Sequence, residues 1–450
     1  MKKNHKIEIE MLAKKCYDSA TPKNEYYAKY NVKRGLRDIG GHGVLVGITD
    51  IAEVNAFRIV NGKEIPIEGE LFYRGYNIKD LVKGIGASNH FGYEETLYLL
   101  LFGELPTRED FDDFLIRLSD YRELPPSFVR DILMMSPSNN IMNLMARSVL
   151  TLYSYDSYAE DISVPNVLRQ CLQLTSIFPL LAVYGYQIFR HYATDCSLVI
   201  HPPKAEYSTA ENFLYLLRTD GKFTSHEAKL LDTCLMLHME HGGGNNSTFT
   251  THMVTSTGTD TYSTIAASLG SLKGSRHGGA NHKVVAMIED LKKNITDWND
   301  EEQIRNYLVD LLNKKAFDKA GLIYGMGHAV YSLSDPRAEI LRKLAKTVSK
   351  DKGKQDEYNL YATVARLAPE VIAKERQIYK GVSPNIDFFS GYVYHLLDIP
   401  QELYTPLFAI ARISGWSAHR IEELISGNKI IRPAYMSVLP HKKYVPIDER

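Results

Sequence analysis

The chain has 450 residues, 44% apolar and 24% charged, which is the composition of a folded globular protein with length for more than one core. Lys and Arg number 53 against 54 Asp and Glu, so no basic field exists to recruit nucleic acid or an anionic membrane, and neither partner is expected. The four cysteines, Cys16, Cys171, Cys196 and Cys234, are scattered without a CxxC, which argues against a disulfide framework or a structural zinc site and suits a reducing compartment.

Residues 1–34 read as an N-terminal extension, with many charges around Ile7, Ile9, Met11 and Leu12 predicting a short surface helix. They lack the apolar core of a signal peptide, so a cytoplasmic location is expected. A strand-like region follows from Val44 to Tyr73, with Asn61-Gly62 placed as a turn between β-branched runs.

Beyond Asn77 the pattern is helical. Apolar residues at i, i+3, i+4 spacing recur in 92–103, 110–118, 163–189, 209–218, 225–238, 259–273, 281–293, 303–313, 337–348 and 401–425. One uncharged run, Cys171 to Phe189, is interrupted by Gln173, Thr175, Ser176, Pro179 and Gln187, which predicts a buried helix rather than a membrane span. The fold class expected is mainly α with one small N-terminal β element.

Four junctions carry chemistry. In "GSRHGGANHK" His277 falls between a helix ending at Gly274, a good residue just past a helix end, and one starting near Asn281, an acceptable N-cap. The positive end of that second helix disfavours imidazolium, so His277 reads as a neutral hydrogen-bond donor of the kind that stabilises an enolate oxygen. In "GMGHAVYSLSDPRAE" His328 follows two glycines, and Asp335-Pro336 marks a helix start with Arg337 in its first turn, a cation that opposes the helix dipole and so suggests an anion to meet. In "SPNIDFFSG" Asp387 stands at the front of an apolar segment, a candidate base beside the two histidines. Arg412 lies in a segment apolar nearly all round, with Phe408 and Trp416 on its face, so its guanidinium needs an anionic partner. Arg432 is a further arginine among apolar neighbours, and three arginines suit a dicarboxylate. Alone, each has a plainer reading as a loop histidine, solvated arginine or capping aspartate.

"LHMEHGGGNNSTFT" places His238 and His241 one helical turn apart, with His252 downstream. A metal hydrolase built there lacks H-E-x-x-H spacing, so no metal is expected.

Together these stretches, with "RGLRDIGGHGVLVGITDIAEV", "PPKAEYSTAENFLYLL", "PNIDFFSGYVY" and "TPLFAIARISGW" in the same order, resemble the citrate synthase family from about Gly35 to Tyr435. The resemblance implies a two-domain helical fold, with residues 35–277 and 392–450 in a large domain and 278–391 in a small one. It implies condensation of acetyl-CoA with oxaloacetate, followed by hydrolysis of citryl-CoA. Asp387 would take the methyl proton, His277 would stabilise the enol, and His328 would polarise the ketone. His238, Arg337, Arg412 and Arg432 would hold carboxylates, Arg432 coming from the second subunit of a homodimer. No cofactor is implied beyond the substrates. A 2-methylcitrate synthase using propionyl-CoA and a non-catalytic CoA-binding paralogue are the alternatives. Departures fall on the CoA side: Ala329 and Ser332 stand where cations are frequent, Gly242 where Glu is, and Ala434 where Arg is. CoA contacts are therefore unassigned, with Lys380 as a guess.

Overall fold

The structure, a computed structural model, describes residues 3–20, 24–38, 42–88, 90–377, 381–427 and 429–450. It divides into two compact units, Met1–Ile48 and Thr49–Arg450. The first holds helices Lys3–Ser19 and Asn24–Lys29, a 3₁₀ turn at Arg34–Leu36, and a bridge from Arg37 to Gly43. The surface helix expected there is present and is joined by a second.

The second unit begins with a three-stranded antiparallel sheet in the order β1 (Ala52–Val60), β2 (Lys63–Tyr73), β3 (Tyr76–Asn77). Asn61 and Gly62, at φ 51° and 74°, form the hairpin turn the sequence placed there, because a tight two-residue turn of this hand needs positive φ at both central residues. Pairing starts at Ala52, eight residues later than Val44, where the strand-like pattern began.

All ten predicted helical stretches are helices, from Gly92–Phe102 to Tyr404–Ser426. Helices Ile78–Ser88, Ile141–Leu152, Asn246–Thr255 and Gln355–Arg376 were not separately foreseen; the last contains Pro369, which breaks the periodic pattern in sequence while its apolar face still packs. Val164–Thr194 is long and apolar enough to cross a membrane, but 83% of its most apolar window is buried in protein, and it packs against helix Tyr404–Ser426.

Helix Tyr404–Ser426 is the organising element: every residue from Pro406 to Arg420 is buried, and it contacts helices Gly92–Phe102, Ser225–His238, Asn246–Thr255 and Thr261–Lys273. An all-round apolar helix is stable only inside a core. Helix Ser225–His238 is started by a reciprocal cap, Thr224 with Glu227, a device worth about 1 kcal/mol. It ends on His238, which is fully buried.

Candidate active site

Most of the chemical side chains stand at or beyond an element end, Arg412 in mid-helix being the exception. His238 closes its helix, and His241 lies three residues past that end in non-helical chain, so the two are not one helical turn apart as the sequence suggested. His277 sits in a turn closed by its own N–H on Gly274 O. The next helix begins at Ala280 with Gly279 as an uncapped N-cap, so Asn281 is a buried helical residue instead of the cap; Gly274 ends the preceding helix at φ −58°, without a left-handed turn. Asp335 and Pro336 start helix Pro336–Asp351 as expected, and Asn385 caps helix Ile386–Leu396 through Asp387 N–H.

The His328 and Asp387 loops are stitched together. Gly327 N donates to Ser383 O, Asn385 N to Gly325 O, and Asn385 Nδ2 to Gly327 O, at 2.9, 2.9 and 2.8 Å. Gly325 is required here: its φ is 77°, and a Cβ would lie 2.8 Å from Val284 and 2.9 Å from Phe388.

The histidines are sorted by their hydrogen bonds. His328 Nδ1 accepts the N–H groups of Val330 and Tyr331 at 3.0 and 3.1 Å, which assigns the ring proton to Nε2. His277 Nε2 faces Ser247 Oγ at 3.0 Å and Ser247 N–H at 3.4 Å, so Nδ1 is assigned the proton. Ser247 Oγ also accepts Trp416 Nε1 at 3.2 Å, which fixes that contact to the core. His238 Nδ1 donates to Cys234 O at 2.7 Å, and its Nε2 is enclosed with no hydrogen-bond partner among the described residues.

Burial pushes His238 down to about 3 and His277 down to about 4, with the Arg412 guanidinium acting in the same direction on both. His277 is thus neutral as expected, though burial rather than the helix end is the main cause. Asp387 moves the other way: burial lifts its carboxyl to about 6, although Arg337 and Arg412 pull it down. The residue is half-buried, but Oδ1 is enclosed and unpartnered among the described residues.

Arg337 and Arg412 are both buried. Arg337 is held two-pronged by Asp335, and burial, which alone would favour its neutral form, is outweighed by that carboxylate, so its charge is secured. Arg412 is different. Its Nε donates to His238 O at 2.8 Å, its guanidinium lies 4.8 Å from the Phe408 ring centre, and Nη1 has no hydrogen-bond partner among the described residues. Burial pulls it down to about 10, with the Glu240 carboxylate opposing.

These contacts bring six of the seven predicted residues together. Phe408 contacts the rings of His238 and His277 as well as Arg412, while His241 and Tyr331 link His328 to the Arg337 side. Arg432 is exposed in the C-terminal segment, and no described hydrogen bond or ion pair joins it to the other six. Lys380 lies outside the described residues. Sequence reading missed Asp335 as the partner of Arg337, Ser247 as the support of His277, and Tyr331. The first was within reach, since an N-cap carboxylate can turn onto a cation two residues on. A cavity of 720 Å³ adjoins the cluster and is lined in part by Ser334, Asp335, Arg342, Ser383 and Phe389.

The arrangement is one unpartnered carboxylate and two neutral imidazole donors in a site where two guanidiniums supply positive charge. The family described as "Citrate synthase, C-terminal domain" matches residues 40–434. The citrate synthase of Synechocystis sp. is 35% identical over 85% of this chain and 89% of its own length. The 2-methylcitrate synthase of Shewanella oneidensis is 32% identical over 84% and 92%. Among solved structures, citrate synthase from Thermoplasma acidophilum, in ternary complex with carboxymethyl coenzyme A and oxaloacetate, superposes with a TM-score of 0.74 at 26% identity, covering 91% of this chain and 98% of that one. The chain belongs to the citrate synthase family.

Proposed function

We propose that the protein condenses acetyl-CoA with oxaloacetate and hydrolyses the resulting citryl-CoA, an acyltransferase reaction in which the acetyl group becomes an alkyl group. The observation that carries this reading is Asp387, whose Oδ1 is enclosed and without a hydrogen-bond partner among the described residues, together with two neutral histidines. A thioester α-proton is too weakly acidic for an unaided carboxylate, so the enol oxygen must be stabilised as charge develops. Asp387 takes a methyl proton while His277 Nδ1–H donates to the thioester oxygen. The enol carbon then bonds to the ketone carbon of oxaloacetate, whose oxygen is met by His328 Nε2–H. Arg337, Arg412 and His238 hold the carboxylates. Water then breaks the C–S bond, releasing citrate and the CoA thiol.

The same proposal places the protein in the cytoplasm as a homodimer whose partner subunit contributes an Arg432 to each site, a role that fits an arginine left exposed in one chain. Residues 278–391 form the small domain, which closes over 35–277 and 392–450 to exclude water until the carbon–carbon bond has formed. The reaction needs no cofactor beyond its substrates.

The similarity to a 2-methylcitrate synthase keeps propionyl-CoA as a second substrate reading, since one methylene changes discrimination by only about 1–3 kcal/mol. Thiol release from acetyl-CoA and from propionyl-CoA, each with and without oxaloacetate, tests both. Release that needs oxaloacetate and is faster with acetyl-CoA is the expected result. A preference for propionyl-CoA assigns methylcitrate formation, and no release from either by folded protein assigns a non-catalytic paralogue.

A further inference from the structure

Behind the oxaloacetate-holding residues lies a second polar cluster that the condensation chemistry does not use. His252, from helix Asn246–Thr255, points Nε2 at Nδ1 of His419, from helix Tyr404–Ser426, at 3.0 Å. The outer nitrogen of each ring faces a carboxylate: His252 Nδ1 hydrogen-bonds Glu423 Oε2 at 2.8 Å, and His419 Nε2 lies 3.2 Å from Glu240 Oε1, an ion-pair contact without hydrogen-bond geometry. If both outer nitrogens carry protons, the two inner nitrogens face each other with lone pairs. Something positive must sit between them.

Glu422 completes the convergence. Its Oε1 accepts the Asp50 N–H at 2.9 Å, while Oε2 lies 3.6 Å from His419 Nδ1, enclosed and with no hydrogen-bond partner among the described residues. The three inner donor atoms, from His252, His419 and Glu422, lie within 4.8 Å of one another, and no other such group of three is found among the described residues. Metal–ligand bonds of 2.0–2.2 Å in tetrahedral geometry put donor atoms about 3.3 Å apart, between the two separations seen. Gly243 borders this space: a Cβ there would stand 3.6 Å from both His252 Nε2 and His419 Cε1.

We propose that His252 Nε2, His419 Nδ1 and Glu422 Oε2 bind a divalent transition-metal ion of the zinc class, with Glu240 and Glu423 orienting the two imidazoles. Carboxylates on the outer nitrogens are the usual support of histidine ligands, since they fix the tautomer and raise ligand basicity. Three carboxylates surround the two rings, Glu240, Glu422 and Glu423, of which Glu240 also faces the Arg412 guanidinium, so a dication between the rings meets negative charge on several sides. The ion clamps helix Tyr404–Ser426, which carries Arg412, to helix Asn246–Thr255, whose first turn carries Ser247. Its role is structural, and the proposal holds whichever acyl-CoA is used.

The test uses the full chain stripped with chelator, then titrated with zinc by calorimetry and with cobalt(II) by visible absorption. One ion per chain, cobalt bands of a nitrogen–oxygen site, and a rise in Tm on zinc addition are expected. His252→Gln and Glu422→Gln should each weaken zinc binding at least tenfold. Two variants on different helices guard against one failing to fold. Absence of stoichiometric zinc and cobalt binding by the folded wild-type chain overturns the proposal in favour of a shared proton, as does binding that both variants retain at wild-type affinity.

Discussion

Arg337 and Asp335, two residues apart at one helix start, meet as a buried fork: Nε to Oδ1 at 3.0 Å and Nη2 to Oδ2 at 2.8 Å. The same carboxylate also accepts the N–H groups of Arg337 and of Ile386, the residue before Asp387. One side chain therefore fixes the Arg337 guanidinium and the backbone next to Asp387. Asp335→Ala leaves a buried guanidinium without its counter-charge, a change that costs about 3–5 kcal/mol. Urea unfolding of the variant checks this, and a loss under about 1 kcal/mol would show that the pair contributes little.

Asp387 is held in its less favoured state at neutral pH. Its folded value of about 6 lies above the ordinary 3.8, so the fold binds this proton more tightly than the unfolded chain does. The carboxylate therefore costs stability above pH 6 and costs nothing below about 4. Asp387→Asn should be more stable than wild type by about 2 kcal/mol at pH 8, allowing for partial exposure, with the gap closing as pH falls from 6 to 4. The variant should lose condensation, and wild-type kcat/KM for acetyl-CoA at saturating oxaloacetate should fall about tenfold per unit below pH 6. Equal Tm values for the two proteins at pH 8 would contradict the burial argument.

Arg412 invites the opposite test of stability against binding. Its unpartnered Nη1 is tolerated in a core where an apolar side chain would fit. Arg412→Leu should fold with stability within about 1 kcal/mol of wild type or higher, because apolar replacement of buried charge is often neutral or stabilising. Losing charge-assisted hydrogen bonds worth about 1.5–3 kcal/mol should raise the oxaloacetate Kd roughly 10- to 100-fold. Calorimetric titration reads this directly, and unchanged affinity would remove Arg412 from the site.

What the sequence made legible follows from range. Helix Tyr404–Ser426 and the Asn61-Gly62 turn were readable because periodicity and turn chemistry are local. The candidate residues His277, His328 and Asp387 stood out because each sits at a break between elements, where glycine, proline and caps mark the chain. The supports were not legible. Ser247 reaches His277 across 30 residues, and Tyr93 hydroxyl reaches Ile410 O across 317, with no local pattern to announce either. His241 was misplaced for a related reason: its spacing from His238 fits a helix, yet the helix ends at His238. The chain then turns through Glu240, whose Oε1 accepts the His241 N–H.

His238 carries the least obvious consequence. Its Nδ1 proton is committed to Cys234 O, and its enclosed Nε2 bears only a lone pair. A carboxylate likewise offers only lone pairs. His238 can hold a carboxylate of oxaloacetate only if Nε2 gains a proton, although burial, Arg337 and Arg412 hold the ring at about 3 in the unliganded protein. The dianion must raise that value past the working pH, about 7 kcal/mol of interaction at pH 8, which is at the top of what close buried charge pairs supply. Oxaloacetate binding should therefore take up close to one proton, and affinity should weaken as pH rises. Titration calorimetry at pH 8 in buffers of different ionisation enthalpy counts the proton, and that pH keeps the contribution of Asp387 small. His238→Gln, whose amide donates without protonation, should abolish the uptake. If wild type takes up no proton, Nε2 accepts from a hydroxyl group instead, and His238 does not hold a carboxylate.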